Sequence, residues 1–265
     1  MEAIVLYPTT AIGHLIAMVE LGKLLLTSKP SLSIHILMTT APYDAGDTAP
    51  YFAAVSASTP SIAFHNNLPL ISLPPELSTA SAHVENLIFE VLNLSKPNVS
   101  QALLFISQTH TIHAFVIDFF CGSTLAVSAD DHHIPSYIFF TSAAAALALF
   151  LYLPTFHETI PKSLKDLNNN APLHVPRLPP IPPLDMPKHY LDRHDKAYKY
   201  FLESSIHTSR SNGIIVNTFE PLEPRAAKAI ETGLCITSHS TPPIYCIGPL
   251  ILTREKKDSE FECLK

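Results

Sequence analysis

The sequence predicts an α/β fold, a Rossmann-like parallel sheet with helices on both faces, from three observations. Short, almost wholly apolar runs alternate along the chain with longer stretches of helical periodicity. The apolar runs lack the in-and-out alternation of a half-exposed strand, so both of their faces are expected to be covered. Finally, 265 residues with 47% apolar and only 15% charged side chains are enough to fill one large core or two small ones.

Each element follows from the local pattern. Residues 3–7 form the first strand, ended by Pro8. After a Thr-Thr-Ala-Ile-Gly turn, residues 14–26 place Leu15, Met18, Val19, Gly22 and Leu25 on one helical face, with Glu20 and Lys23 off it. Residues 34–38 give a second strand. Residues 114–117 are apolar and end at Asp118, and residues 122–129 resume a helical pattern. Residues 136–140 are β-branched and aromatic. Thr141-Ser142 then offers a cap to an alanine-rich helix reaching residue 152, just short of Pro154. A helix over 195–209, a strand over 213–217, a helix over 222–231 and a strand over 244–247 complete the alternation. Between them, seven of the sixteen residues 172–187 are proline, which enforces an extended or turning loop. Residues 1–250 thus read as one Rossmann-like domain. Seven of the nine residues 254–262 are charged, so 251–265 read as a solvated linker and the chain as a fragment of something longer.

Composition removes several functions. With 17 Lys+Arg against 23 Asp+Glu, a net charge of -6, there is no basic field to collect phosphates, so no nucleic-acid partner is expected. The 7 glycines are nowhere spaced as GxGxxG, GxxxxGK or GxSxG, which excludes the dinucleotide turn, the phosphate loop and the nucleophile elbow. Cys121, Cys235, Cys246 and Cys263 form no CxxC pair, and reduced thiols in the cytoplasm fit them best. The longest apolar run, residues 143–153, is too short for a bilayer span, so no membrane span is expected. The sequons at Asn93 and Asn98 carry no weight in a cytoplasmic chain. His110/His113 and His132/His133 lack cysteine or carboxylate partners at ligand spacing, and no metal is expected. Residues 177–183 also satisfy a basic-xxPxxP peptide motif, which keeps a proline-motif interaction protein as a minor alternative to a stiff loop.

In open parallel sheets ligands gather beyond the carboxyl ends of the strands, where His14 and Asp118 both fall. The positive end of a helix dipole disfavours a protonated imidazole, so His14 is expected to be held neutral, as a base. A carboxylate at Asp118 would orient the ring, or else simply cap the following helix.

Six segments carry a resemblance. They are Gly13-His14-Leu15, Ile117-Asp118-Phe119-Phe120-Cys121, Tyr137-Ile138-Phe139-Phe140-Thr141-Ser142, Leu178-Pro179-Pro180-Ile181-Pro182-Pro183, Ser211-Asn212-Gly213-Ile214-Ile215-Val216-Asn217-Thr218-Phe219 and Ile247-Gly248-Pro249-Leu250. In order and spacing they resemble plant family 1 UDP-glycosyltransferases, nearest the flavonoid, chalcone and hydroquinone glucosyltransferases. The resemblance covers only the N-terminal half of such an enzyme. It implies the N-terminal, acceptor-binding domain of a GT-B fold, with the UDP-sugar-binding domain lying after Lys265. It also implies inverting transfer of a sugar, glucose foremost, from UDP-sugar as co-substrate to a phenolic hydroxyl, with no bound cofactor, in a monomer. By the same resemblance His14 matches the general base and Asp118 its partner. Gly13 and Thr141 match donor-sugar contacts, and Ile12, His83, Phe119, Phe120 and Ser142 match the acceptor pocket. The alternative is a non-catalytic module that binds a small aromatic ligand.

Overall fold

The structure is a computed structural model that describes residues 1–40, 49–66, 68–69, 71–72, 84–127 and 132–251; His83 and the charged segment 252–265 lie outside the described residues. Among the described residues, seven strands pair in one sheet: Glu2–Tyr7 (β1), Ser33–Leu37 (β2), Ile62–His65 (β3), Thr111–Asp118 (β4), Ser136–Phe140 (β5), Gly213–Val216 (β6) and Ile244–Cys246 (β7). Their order is β3-β2-β1-β4-β5-β6-β7, and every pair is parallel. The helices are Ile12–Ser28 (α1), Ala49–Ser58 (α2), Val84–Leu94 (α3), Lys96–Ser107 (α4), Ala144–Thr159 (α5), Lys188–Leu191 (α6), Lys196–Ser209 (α7) and Pro224–Glu231 (α8).

Both faces of the sheet are buried, as continuous apolar strands require. Leu6, Ile34, Ile36, Val116 and Phe139 face one way and pack with Leu15, Met18 and Val19 of α1. Val5, Tyr7, Phe115, Ile117, Ile138 and Phe140 face the other and pack with α3, α4, α5 and α7. Helix α1 lies close on the sheet because Gly22 has no side chain. A Cβ there would sit 3.2 Å from Cγ2 of Ile34 and 3.3 Å from Cδ1 of Leu6.

Three local expectations are corrected. After β4 the helical stretch expected from residue 122 begins three residues earlier and as a 3-10 helix, Phe119–Thr124, because Asp118 captures the Phe120 amide at 3.0 Å and tightens the turn at once; residues 125–127 continue it as helix, and residues 128–129 lie outside the described residues. Thr141 and Ser142 do not cap α5. Its N-cap residue is Ala143, and the first two amides, of Ala144 and Ala145, are bound instead by the Glu223 carboxylate at 2.8 and 3.0 Å. Nor does that helix stop near residue 152: it runs through Pro154 to Thr159. Proline deprives the Phe150 carbonyl of its helical donor, and the Ser205 hydroxyl of α7 supplies one at 2.7 Å. The proline-rich loop is ordered by a two-way backbone pairing of Leu173 with Ile181 and buries Leu173, Val175 and Met186.

Candidate active site

The strand order reverses between β1 and β4. The chain goes from β1 out to β2 and β3, then returns to β4 on β1's other side, so the connections diverge and leave a crevice at the carboxyl ends. Three adjacent strands each deliver one polar side chain there. His14 stands in the first turn of α1, after β1; Asp118 is the last residue of β4; Thr141 follows the last residue of β5. The sheet register brings together groups that are 104 and 127 residues apart along the chain.

The geometry fixes the roles of the atoms. His14 Nδ1 lies 2.7 Å from Oδ2 of Asp118 and 3.1 Å from Oγ1 of Thr141. A carboxylate can only accept, so Nδ1 carries the proton, donates to Asp118 and shares it with the Thr141 oxygen. Two consequences follow: Nε2 keeps its lone pair, and the Thr141 hydroxyl keeps its hydrogen. Asp118 is fully buried and divides its oxygens, Oδ2 to the imidazole and Oδ1 to the Phe120 amide. Capping and orienting, alternatives in the sequence, are therefore both served by one side chain.

The expectation that His14 is held neutral is corrected in direction. Burial does disfavour its charged form, but the Asp118 charge and the hydrogen bond to it outweigh that, and the pKa lies above the ordinary 6.5. The ring retains access to solvent, with 24% of its side chain exposed.

Aromatic side chains wall the crevice. The Phe119 and Phe120 rings lie 5.7 and 5.5 Å from the His14 ring, the latter edge-on. Phe119 is anchored by Phe140 and Phe150, at 4.8 and 5.6 Å, and Phe120 by Phe89 and Phe201, at 5.0 and 5.5 Å. Beside Phe120 a small cavity is lined by Phe89, Asn93, Tyr200, Glu203 and His207. Ile12 and Ser142 are exposed next to His14 and Thr141, and a Cβ built on Gly13 meets nothing within 4 Å. Of the residues singled out from sequence, His14, Asp118, Thr141, Phe119 and Phe120 are in mutual contact. Gly13, Ile12 and Ser142 flank them without a contact of their own to the imidazole among the described bonds and ring pairs.

Sequence reasoning missed Phe89, Phe201 and Glu223. The apolar face of α3, with Phe89, Val91 and Leu92 buried, is a helical signal that points to the first. For Glu223 the single clue is negative: Ala143-Ala144-Ala145 has no capping side chain of its own.

No protein-family model matches the chain. It is similar to curated plant enzymes: 43% identical over 263 residues to UDP-glycosyltransferase 88B1 of Stevia rebaudiana, covering 99% of this chain and 56% of that one. To the anthocyanidin 5,3-O-glucosyltransferase of a Rosa hybrid cultivar it is 45% identical over 277 residues, covering 100% and 56%. Among solved structures, Phytolacca americana UGT2 complexed with UDP-2fluoro-glucose and pterostilbene matches with a TM-score of 0.82 and 29% identity, covering 96% of this chain and 55% of that one. The chain thus spans just over half the length of the relatives it matches. With likeness along its whole length in both sequence and parallel-sheet fold, this chain belongs to the plant UDP-glycosyltransferases, in their N-terminal GT-B domain.

Proposed function

We propose that residues 1–250 are the acceptor-binding domain of an inverting UDP-glycosyltransferase that moves glucose from UDP-glucose to a hydroxyl of a flavonoid-type phenol. Residues 251–265 lead, on this reading, to a UDP-sugar-binding domain in the longer protein. The observation that carries the proposal is the hydrogen bond from His14 Nδ1 to the buried Asp118 carboxylate, which leaves the Nε2 lone pair free to accept a proton on a ring that keeps access to solvent. The Rosa relative is an anthocyanidin glucosyltransferase by name, and the Phytolacca structure holds a UDP-sugar analogue with pterostilbene, a phenol.

The chemistry runs as one displacement. Phe119 and Phe120 pack the acceptor ring and exclude water, while Nε2 of His14 accepts the phenolic proton. The oxygen then forms its bond to the anomeric carbon as the bond from that carbon to the phosphate oxygen breaks, and UDP departs with the electron pair. The imidazolium so formed is stabilised by the Asp118 carboxylate until it returns its proton to solvent. Thr141 donates its free hydroxyl hydrogen to a sugar oxygen, and Gly13 leaves room for the sugar to approach the backbone. Ile12 and Ser142 border the acceptor.

The test uses a protein extended to the relatives' full length, incubated with UDP-glucose and a panel of flavonoids and simple phenols. A mass gain of one hexose with the β-configuration is expected. No transfer to any phenol rejects the substrate class, and an α-linked product rejects the single displacement.

A further inference from the structure

We infer that Glu223 is a positioning residue for the His14–Asp118–Thr141 cluster: by clamping the first turn of α5 it holds the Thr141 hydroxyl beside His14. The inference rests on the roles given above to His14 and Thr141.

Thr141 is one of three residues between the end of β5 and the start of α5, and its position depends on how that helix begins. The helix has no local support for its start. Ala143, the N-cap residue, has no side-chain acceptor, and no acidic residue lies in the first turn. Uncapped amides at a helix start are costly to leave unpaired and attract negative charge. Glu223 meets both needs from 79 and 78 residues away, with Oε2 on the Ala144 amide at 2.8 Å and Oε1 on the Ala145 amide at 3.0 Å. Two oxygens on two successive amides define an orientation as well as a distance. The Thr218 hydroxyl donates to Oε2 at 2.7 Å and fixes the carboxylate in turn. Thr218 follows β6, the strand beside β5, so the clamp ties the ends of two adjacent strands around the loop that carries Thr141. At the other end of that loop, the Asn217 main-chain N–H donates to the Phe140 carbonyl at 3.0 Å. The loop is therefore held at both ends by the segment 217–223, and it carries the Thr141 hydroxyl 3.1 Å from His14 Nδ1.

The readout is the proton affinity of His14, followed by NMR titration of its ring in the 265-residue chain, with no donor or acceptor present. Failure here is thus distinguishable from failure to transfer sugar. Thr141→Val removes an acceptor that favours the charged ring, so it should lower the His14 midpoint, by a roughly two- to tenfold change in proton affinity, the span of one net hydrogen bond. Glu223→Gln, which cannot accept both amides and the hydroxyl with its amide nitrogen, should lower it in the same direction. The double variant should lower it no further than the larger single, because both act through one contact. A folded Glu223→Gln chain with an unmoved midpoint, or fully additive shifts, overturns the inference. Should Glu223→Gln not fold, Thr218→Val keeps both amide bonds and loosens only the carboxylate. A smaller shift of the same sign supports the clamp, and an unmoved midpoint overturns it.

Discussion

At His14 two opposed effects meet, and the sign of the outcome sets the pH dependence. Burial favours the neutral ring; the Asp118 charge at 2.7 Å and its hydrogen bond favour the imidazolium and prevail, raising the pKa above 6.5. A raised folded-state pKa contributes stability that is complete below the unfolded value of 6.5 and is lost as pH rises through the folded value. Proton acceptance needs the opposite form, so transfer should increase as pH rises through that same folded value. Asp118→Asn removes the charge and leaves burial, so the His14 midpoint, read by NMR, should drop, and the acid limb of the rate profile of the full-length enzyme should move with it. An unmoved midpoint would show that the carboxylate is not the source of the shift. In turnover, His14→Ala should cost on the order of 10²- to 10⁴-fold in kcat with acceptor affinity largely kept, the range for loss of a general base. Asp118→Asn should cost less, and the double variant no more than His14→Ala alone, since the aspartate acts through the histidine. Steady-state kinetics on the four proteins decides it: additive losses would separate the two side chains.

At the scale of elements, strands that are apolar on both faces were the legible part. β1, β5 and β6 came within one residue of the pattern, and β4 begins three residues earlier than it, because nothing but burial on two sides tolerates such runs. β3 was not legible: of Ile62–His65 only Ile62 is buried, and an edge strand of four residues has no period to read. α2 was hidden in the same way, with Val55 its one buried residue. Where the sequence misled, a distant partner had overridden a local rule, Ser205 for the proline in α5 and Glu223 for its cap. The site was legible as two ends of two strands, His14 and Asp118, but the bond from His14 to Thr141 needed the strand order.

The edge formed by β2 and β3 carries an acid-sensitive cluster. His35 on β2 is buried, with Nδ1 2.9 Å from Nε2 of His65 on β3 and Nε2 3.0 Å from the Ser33 hydroxyl, and the His110 ring stands 4.6 Å away. Burial first, then the neighbouring His65 and His110 charges, pull its pKa down to about 4, and burial lowers His65 as well. A depressed folded-state value means stability is complete above 6.5 and is lost as pH falls from 6.5 toward 4, by up to ~3 kcal/mol for His35 by linkage. Urea midpoints at pH 7.5 and pH 5 should differ in the parent chain and differ much less in His35→Leu. Equal pH sensitivity in both would place the acid loss elsewhere. Packing is as strict after β7, where a Cβ on Gly248 would lie 2.5 Å from both the carbonyl carbon and Oδ1 of Asn217. Asn217 Oδ1 also accepts the Leu250 amide at 2.6 Å, so neither side can yield freely. Gly248→Ala should therefore destabilise by ~1–3 kcal/mol in urea unfolding, as overpacking does, and an unchanged midpoint would mean that this backbone moves apart at little cost.

At the scale of the whole molecule, the two faces of one sheet bury separate clusters, and the crevice residues hang from both: His14 from α1 on one face, and Phe119 and Phe120 in the aromatic packing on the other. Among the described residues, the bonds that hold His14, Asp118 and Thr141 together are made within residues 1–250. The acceptor side of the site should then exist in this chain by itself, while the proposal assigns most of the hold on the nucleotide to a further domain. A ligand that binds only the folded state raises stability by RT ln(1 + [L]/Kd), so the two halves of the reaction can be read separately from melting. A flavonol at ten times its Kd should raise stability by ~1.4 kcal/mol, or several degrees for a domain of this size. UDP-glucose at the same concentration should leave the melting temperature where it was. Phe120→Ala should abolish the flavonol effect and His14→Ala should keep it, because the first removes the aromatic wall and the second a proton acceptor. Stabilisation by UDP-glucose alone would put a nucleotide site within these 265 residues and overturn the division of labour, and no stabilisation by any phenol would remove the acceptor pocket from this half.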